Sequence, residues 1–229
     1  MSEVPLFDDA GINLADPNDV RGLKTEYITQ LQIEALRGCL GGAHGVAADI
    51  GCGYGRMTSR IASLGFDRVI GIDPSSRVIE AARSLSPGME FRVGALPSLP
   101  LAKGEAGTIF ILNVLRVLHL LGCVDVVGGV AESLPQGGRL VVLDNLRKGH
   151  PEYLTEEDVI GLFSSVGLRL VKRQAVRGAR WPWIQLVKVG LVPRRLYRWL
   201  LAFELVLMRR LPNAPRWHYI NVIWVFEKA

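Results

Sequence analysis

The sequence has little that would mark a secreted or membrane-spanning protein. Its 229 residues include only three cysteines, Cys39, Cys52 and Cys123, and no pair of them has metal-ligand spacing, so neither a disulfide scaffold nor a bound metal is indicated. No stretch of 18 residues is free of charge, which argues against a transmembrane helix. Residues 1–20 hold five acids and no base, the opposite of the start of a signal peptide. We therefore expect a cytoplasmic protein without a metal site.

Acidic residues are scarce in one part of the chain. Residues 172–216 contain eleven Lys and Arg but only one acid, Glu204, which gives this stretch a net charge of +10. Because the whole chain carries +5, the remainder carries −5. All five tryptophans lie in the last 49 residues. The sequence thus predicts a mildly acidic, glycine-rich body followed by a basic, aromatic section.

Short apolar runs alternate with amphipathic segments along the body of the chain. The runs are typical of buried strands, and the segments between them carry apolar residues at helical spacing. Strands that alternate with helices predict an α/β fold with a parallel, doubly wound sheet. The predicted strands are residues 46–50, 68–72, 89–93, 108–112, 139–143, 168–176 and 218–226.

The most informative motif is a glycine loop after the first predicted strand. Residues 46–56 read Val-Ala-Ala-Asp-Ile-Gly-Cys-Gly-Tyr-Gly-Arg, and glycines at this density let the backbone turn sharply and approach a ligand. Arg56 occupies the place where a dinucleotide-binding loop has its third glycine, which disfavours a pyrophosphate. Asp49 would repel phosphate but can hold an ammonium group. Asp73, at the end of the second strand, can accept both hydroxyls of a ribose.

This loop with its two acids indicates a nucleoside that carries a positively charged amino acid, which describes S-adenosylmethionine. An ordinary strand–turn–helix with a capping aspartate is the alternative interpretation. Three segments, Asp49–Arg56, Gly71–Ser75 and Leu134–Leu140, resemble the class I S-adenosylmethionine-dependent methyltransferases in order and spacing. The resemblance implies a seven-stranded Rossmann-like sheet of order 3-2-1-4-5-7-6 with strand 7 antiparallel. It also implies S-adenosyl-L-methionine as cofactor and S-adenosyl-L-homocysteine as product.

The resemblance implies roles for individual residues. The loop glycines would line the methionine and ribose, with Asp49 near the amino group and Asp73 on the ribose hydroxyls. Ala95 stands where the family often has Asp, so the adenine amino group would meet the backbone near Ala95 and Leu96. Tyr27 or Lys24 would reach the methionine carboxylate, unless their helix is simply a solvated amphipathic one. The predicted cofactor-binding residues are Tyr27, Asp49, Gly51, Gly53, Gly55, Asp73, Pro74, Ala95, Leu96 and Asn113.

Candidates for catalysis follow strands four and five, beside the expected position of the methyl group. His119 is the predicted general base, and Asp144 is an alternative base or substrate ligand. A hydrogen-bonded structural histidine and an Asp144–Arg147 pair are the alternatives without a catalytic role. The sequence has no Asn-Pro-Pro-Tyr or Asp-Pro-Pro-Tyr motif and no cysteine at these strand ends, which disfavours amino-group and cytosine C5 methylation. The predicted substrate-binding residues are Arg116, Arg147, Trp181 and Trp183.

We expect a single domain over residues 1–229. Its parts are a helical cap over residues 1–44, a cofactor-binding core over residues 45–176, a basic helical insert over residues 177–216 and a last strand over residues 217–229.

The insert contains a predicted helix over residues 193–211, with an apolar centre and arginines at both ends. Three interpretations stay open for it: a helix of a substrate lid, an interfacial helix on an anionic membrane, and an RNA platform. We expect O-methylation of a small-molecule, glycan or lipid-linked acceptor, with peripheral membrane contact through this helix. An RNA methyltransferase and a cofactor-binding pseudo-enzyme are the alternatives, and nucleic acid is the less favoured partner.

Overall fold

The computed structural model describes residues 19–178, 182–211 and 219–229. Their centre is a seven-stranded sheet of order β3-β2-β1-β4-β5-β7-β6, which confirms the predicted fold. β7 runs antiparallel to both of its neighbours, and the other adjacent strands are parallel. The strands are β1 (Val46–Ile50), β2 (Arg68–Asp73), β3 (Glu90–Val93), β4 (Thr108–Leu112), β5 (Arg139–Arg147), β6 (Leu168–Gly178) and β7 (Tyr219–Lys228).

Helices cover both faces of the sheet, as connections between parallel strands require. Between β6 and β7, the described residues 182–211 are mostly helical. The helices are α1 (Leu23–Leu40), α2 (Arg56–Ala62), α3 (Ser76–Leu85), α4 (Leu115–Leu120), α5 (Gly129–Ser133), α6 (Glu156–Ser164), α7 (Pro182–Lys188) and α8 (Tyr197–Arg210).

The helix predicted over residues 193–211 is observed as a 3₁₀ turn over Arg194–Leu196 followed by α8, and two further elements differ from the sequence-based expectation. β5 is four residues longer than predicted, because its second half pairs antiparallel with β7 as far as Arg147 opposite Tyr219. Residues 124–134, one of the segments between strands with apolar residues at helical spacing, divide into a 3₁₀ turn over Val124–Gly128 and the short α5. A pair of glycines lies at the division, and a Cβ on Gly129 would come within 2.4 Å of the Pro97 carbonyl oxygen. The close packing of this backbone explains the irregular helix.

Each face of the sheet has its own apolar core. On one face α1, α7 and α8 pack together, with Leu31, Ile184 and Leu201 buried against the strands. On the other face α4, α5 and α6 pack around Phe163 and Trp224. α1 and the insert therefore lie on the same side of the sheet and share one core.

The parallel strands all end at one side of the sheet, which we call the carboxyl edge. β1 ends there at Ile50, β2 at Asp73, β4 at Leu112 and β5 at Arg147, and β7 begins there. Ligands of open α/β sheets bind outside this edge. The fold thus brings the predicted site residues after β1, β2, β4 and β5 to one side of the molecule.

Candidate cofactor and acceptor site

Among its three glycines, the loop after β1 has free space for a ligand only beside Gly53. Gly51, Gly53 and Gly55 have φ angles of 73°, 54° and 77°, in the left-handed region that favours glycine. A Cβ on Gly51 would lie 2.5 Å from the Val114 side chain, and one on Gly55 would lie 2.7 Å from the Phe91 ring. A Cβ on Gly53 would meet nothing within 4 Å. Gly51 and Gly55 thus fix the turn, and Gly53 leaves open space beside its backbone for a ligand.

Asp73 is oriented by the same loop. One of its carboxylate oxygens accepts a hydrogen bond from the Gly53 amide at 3.0 Å, and the other accepts from the Ser75 amide at 3.0 Å. Each carboxylate oxygen has a second lone pair, so the half-buried group can still accept hydrogen bonds from a ribose. The loop and this acid fit an S-adenosylmethionine nucleoside. Pro74 is exposed beside Asp73, and Ala95 and Leu96 are half-buried after β3.

Asp49 is a buried acid at the start of the loop. Only 2 % of it is exposed, and one carboxylate oxygen accepts a 2.7 Å hydrogen bond from the Thr58 hydroxyl. Burial raises the pKa of Asp49 to about 7, although the Thr58 hydrogen bond and the charge of Arg56 oppose the rise. An ammonium group at this position would favour the ionised carboxylate. Sequence reasoning missed Thr58, whose signal is its position nine residues after Asp49, in the first turn of α2.

The pKa of Asp49 predicts how cofactor affinity depends on pH. S-adenosylmethionine binding should strengthen as pH rises through about 7, because the ammonium group binds the ionised carboxylate. Affinity should fall again above about pH 8, where an α-amino group loses its proton. The stability of the free protein should change in the opposite sense, decreasing as pH rises toward 7, since the raised pKa means that the folded state retains the proton longer.

Isothermal titration calorimetry from pH 5.5 to 9 tests this prediction. Asp49→Asn should bind more weakly at pH 7.5 and should lack the rise between about pH 6 and 7. Asp67→Asn is the control, because the Asp67 carboxylate accepts a hydrogen bond, from the Gly45 amide at 2.8 Å, but lies before β2 at the opposite edge of the sheet. A wild-type affinity that does not change below pH 7 would contradict the role of Asp49.

Asp144, at the carboxyl edge on β5, serves as a cap for α4. Its carboxylate accepts hydrogen bonds from the amides of Leu115 at 2.9 Å, Arg116 at 3.4 Å and Asn145 at 2.7 Å. Burial raises its pKa to about 6 against these hydrogen bonds. The pair with Arg147, the alternative without a catalytic role, is not among its contacts, and Arg147 is exposed. Asp144 therefore positions the start of α4.

His119 lies on α4 and contacts the loop after β5. Its Nε2 lies 2.9 Å from the Pro151 carbonyl oxygen. Because a carbonyl oxygen can only accept, Nε2 must carry the proton, and Nδ1 of the neutral ring then has a free lone pair. The atom of His119 that can accept a proton is thus Nδ1. Asn113, just before α4, has a φ of 60°, a left-handed conformation that Asn tolerates better than most residues.

The predicted substrate-binding residues have different surroundings. The Arg116 guanidinium lies 4.8 Å from the centre of the Tyr153 ring, a cation–π contact. Its Nε is buried without a hydrogen-bond partner among the described residues. Trp183 donates from its indole nitrogen to Glu204 at 3.3 Å. Trp181 lies outside the described residues.

Tyr27 belongs to a buried polar cluster that the sequence did not predict. Its hydroxyl donates to Glu204 at 2.9 Å, and its ring packs edge-on against Tyr197. Glu204 is fully buried and lies 3.5 Å from Nε of Arg177, at the end of β6. The signal in the sequence was Glu204 itself, the one acid of the insert, on the same side of α8 as the buried Leu201. Tyr27 thus connects α1 to the insert, and we do not propose it as a cofactor ligand.

Comparison with known proteins agrees with this geometry. Residues 47–138 match the family described as a methyltransferase domain. Uncharacterized methyltransferases of Mycobacterium bovis and Mycobacterium tuberculosis are 27 % identical over 114 residues, which are 50 % of this chain and 45 % of theirs. The chain thus matches about half the length of these curated relatives.

Solved structures share the fold at low sequence identity. Geranyl diphosphate C-methyltransferase from Streptomyces coelicolor, in complex with S-adenosyl-L-homocysteine, has a TM-score of 0.62 at 17 % identity, and the match covers 94 % of this chain and 87 % of that one. The [4+2]-cyclase SpnF has a TM-score of 0.59 at 17 % identity over 87 % of this chain and 80 % of its own. One fold thus serves different reactions.

The sheet order, the glycine loop with its two acids and the family match define one class of protein. Residues 47–138 match a methyltransferase domain, and the fold is the one found in class I S-adenosylmethionine-dependent methyltransferases. The glycine loop, Asp49 and Asp73 fit S-adenosylmethionine as the cofactor.

Proposed function

We propose that the protein transfers a methyl group from S-adenosylmethionine to an oxygen of a small-molecule, glycan or lipid-linked acceptor. The observation that carries the proposal is the open backbone of Gly53 between Asp49 and Asp73 at the carboxyl edge. The ends of β4 and β5 adjoin this site, since β4 is the neighbour of β1. An acceptor at those ends would lie beside the cofactor.

The chain's own residues would act by binding and orientation. Bound S-adenosylmethionine supplies a methyl group on a sulfonium, so the leaving thioether needs no proton. Asp49 would hold the ammonium group and Asp73 the ribose, and holding two reactants in line contributes about 7–11 kcal/mol to barrier reduction. Nδ1 of His119 would take the proton of an acceptor hydroxyl, while Asp144 holds the start of the helix that carries His119.

The acceptor contacts are assigned by position. Arg116 lies on α4, just after β4, and Arg147 is the last residue of β5. Trp183 lies at the start of the insert. We propose that these residues, with Trp181, contact the acceptor. We also propose that residues 193–211 make a peripheral contact with a membrane, which would suit a lipid-linked acceptor.

Labelled methyl transfer tests the proposed reaction. The protein is incubated with S-adenosylmethionine carrying a deuterated methyl group and with aqueous and organic cell extracts, and labelled products are identified by mass spectrometry. An O-methyl product supports the proposal. A C- or N-methyl product would replace the proposed acceptor atom, and cofactor binding without any labelled product would favour a pseudo-enzyme.

The candidate base gives a separate prediction. His119→Gln should lower kcat about 10²- to 10⁴-fold at unchanged S-adenosylmethionine affinity, because the acceptor hydroxyl loses its proton acceptor. Steady-state kinetics with the acceptor from the labelling experiment measures kcat. His44→Gln is the matched control, since His44 is exposed just before β1, at the opposite edge of the sheet. An unchanged kcat for His119→Gln would show that the reaction needs no base at this position.

A further inference from the structure

The insert carries a concentration of exposed apolar side chains. Eight of the fourteen large apolar side chains that are exposed among the described residues fall within residues 186–211. We call these eight the apolar patch. They are Leu186, Val189, Leu191, Leu196, Trp199, Phe203, Val206 and Leu211.

The centre of the apolar patch is one stripe along α8. Leu196 in the 3₁₀ turn that precedes α8 and Trp199, Phe203 and Val206 on α8 are spaced by three, four and three residues, so they line one face. Trp199 is 66 % exposed and Phe203 is 55 % exposed. The opposite face of α8 is buried in the core. The helix α8 thus packs on the core through one face and exposes an apolar stripe on the other.

Arginines lie at both ends of the stripe, and residues 186–211 contribute no exposed acid. Arg194, Arg195 and Arg198 are exposed at its start, and Arg209 and Arg210 are exposed at its end. The one acid of residues 186–211, Glu204, is fully buried. The Arg198 guanidinium lies 5.1 Å from the centre of the Trp199 ring. The surface thus presents apolar and cationic groups together.

We infer that this face of the insert docks onto an anionic lipid bilayer, with the stripe at the acyl boundary and the arginines on the phosphates. A helix with Trp and Phe between arginines suits that interface, because long arginine side chains reach the head groups while aromatic rings lie deeper. A second copy of the chain fits poorly, since pairing two stripes in either direction would bring arginines against arginines. An RNA strand would leave the apolar residues without a role. Among the described residues no helix is long and apolar enough to cross a membrane, so the contact would be peripheral.

The docked face would lie next to the acceptor site. The ring of Phe203 in the stripe packs against the ring of Trp183, with 6.1 Å between their centroids, and Trp183 is one of the residues proposed to contact the acceptor. An amphiphilic acceptor in the bilayer would thus meet the protein beside the proposed acceptor site. This last consequence rests on the proposed function, but docking itself does not.

Vesicle flotation of the full chain tests the inference without any acceptor. The protein should float with vesicles of phosphatidylcholine and phosphatidylglycerol and remain unbound with phosphatidylcholine alone. Phe203→Ser should weaken binding about 10-fold, because an inserted ring is lost. Leu85→Ser is the matched control, since Leu85 is 54 % exposed on α3, outside the insert.

Reversing the charge of two arginines measures their contribution to vesicle binding. Arg195→Glu with Arg198→Glu should weaken binding on the order of 30-fold or more, from about 5-fold per basic residue. Arg60→Glu with Lys103→Glu changes the net charge equally at exposed positions elsewhere and should leave binding nearly intact. Circular dichroism and S-adenosylmethionine affinity check that each variant is folded.

Three results would overturn the inference: no binding to anionic vesicles, unchanged binding by Phe203→Ser, or micromolar self-association that Phe203→Ser abolishes. The last result would assign the face to a second copy. Vesicle binding without any methyl transfer would leave the inference standing and count against the proposed function alone.

Discussion

Replacing Asp73 with alanine is expected to weaken S-adenosylmethionine binding at least about 100-fold. The amides of Gly53 and Ser75 donate to its carboxylate at 3.0 Å each. The carboxylate is therefore already oriented to accept hydrogen bonds from the ribose hydroxyls when the cofactor binds. Two hydrogen bonds to a charged acceptor contribute about 1.5–3 kcal/mol each. The substitution removes both and also releases the amide of Gly53, which helps to set the loop. Calorimetry at pH 7.5 measures the affinity.

Two variants separate the ribose contact from damage to the loop. Asp73→Asn retains a hydrogen-bond acceptor but loses the charge, so it should bind with intermediate affinity. Asp67→Ala removes a carboxylate that holds the Gly45 amide at the opposite edge of the sheet, and its affinity should equal that of the wild type. Wild-type affinity for Asp73→Ala would refute the ribose role of this acid.

Glu204→Ala is expected to lower the free energy of unfolding by about 3–5 kcal/mol, the largest effect on stability that we predict. The carboxylate is fully buried and lies 3.5 Å from Nε of Arg177. It also accepts hydrogen bonds from Tyr27 and Trp183, so it connects α1, α7, α8 and β6. The substitution would leave a buried guanidinium without its counter-charge, and urea unfolding followed by circular dichroism measures the loss.

A double substitution distinguishes the unpaired charge from the lost volume. Arg177→Met with Glu204→Leu removes both charges and should recover most of the stability, since apolar residues often replace a buried ion pair without loss. Glu34→Ala is the control, because Glu34 pairs with Arg37 on the exposed surface of α1 and such pairs contribute about 0–1 kcal/mol. A loss below 1 kcal/mol for Glu204→Ala would contradict the cluster's structural importance.

The cofactor side of the site was predictable from sequence because its determinants are local. Gly51, Gly53 and Gly55 follow a strand directly, and a turn of this kind needs φ angles that few other residues adopt. Asp73 ends the next strand, so parallel pairing alone brings it to the loop. These relations depend on neighbouring residues and one strand pairing, and the sheet order followed from the resemblance.

The acceptor side was less predictable because its contacts join distant segments. His119 hydrogen-bonds to the Pro151 carbonyl, and Asp144 accepts hydrogen bonds from the first amides of α4. The sequence does not show these partners, so it could not distinguish a general base from a structural residue at either position. Tyr27 was predicted at the cofactor, but its hydroxyl contacts Glu204, 177 positions away. Side-chain partners across such separations depend on how helices pack, which periodicity does not specify.

The sequence by itself determined the fold class, the order of strands and helices, the glycine loop with its two acids, and the separation of an acidic body from a basic insert. Apolar periodicity and glycine conformation are short-range properties, so a single chain displays them directly. Only the tertiary structure decided that Glu204 is buried on Arg177 while Trp199 and Phe203 face outward. Both faces of α8 are rich in apolar residues, and packing against α1 and β6 selects the face that is buried.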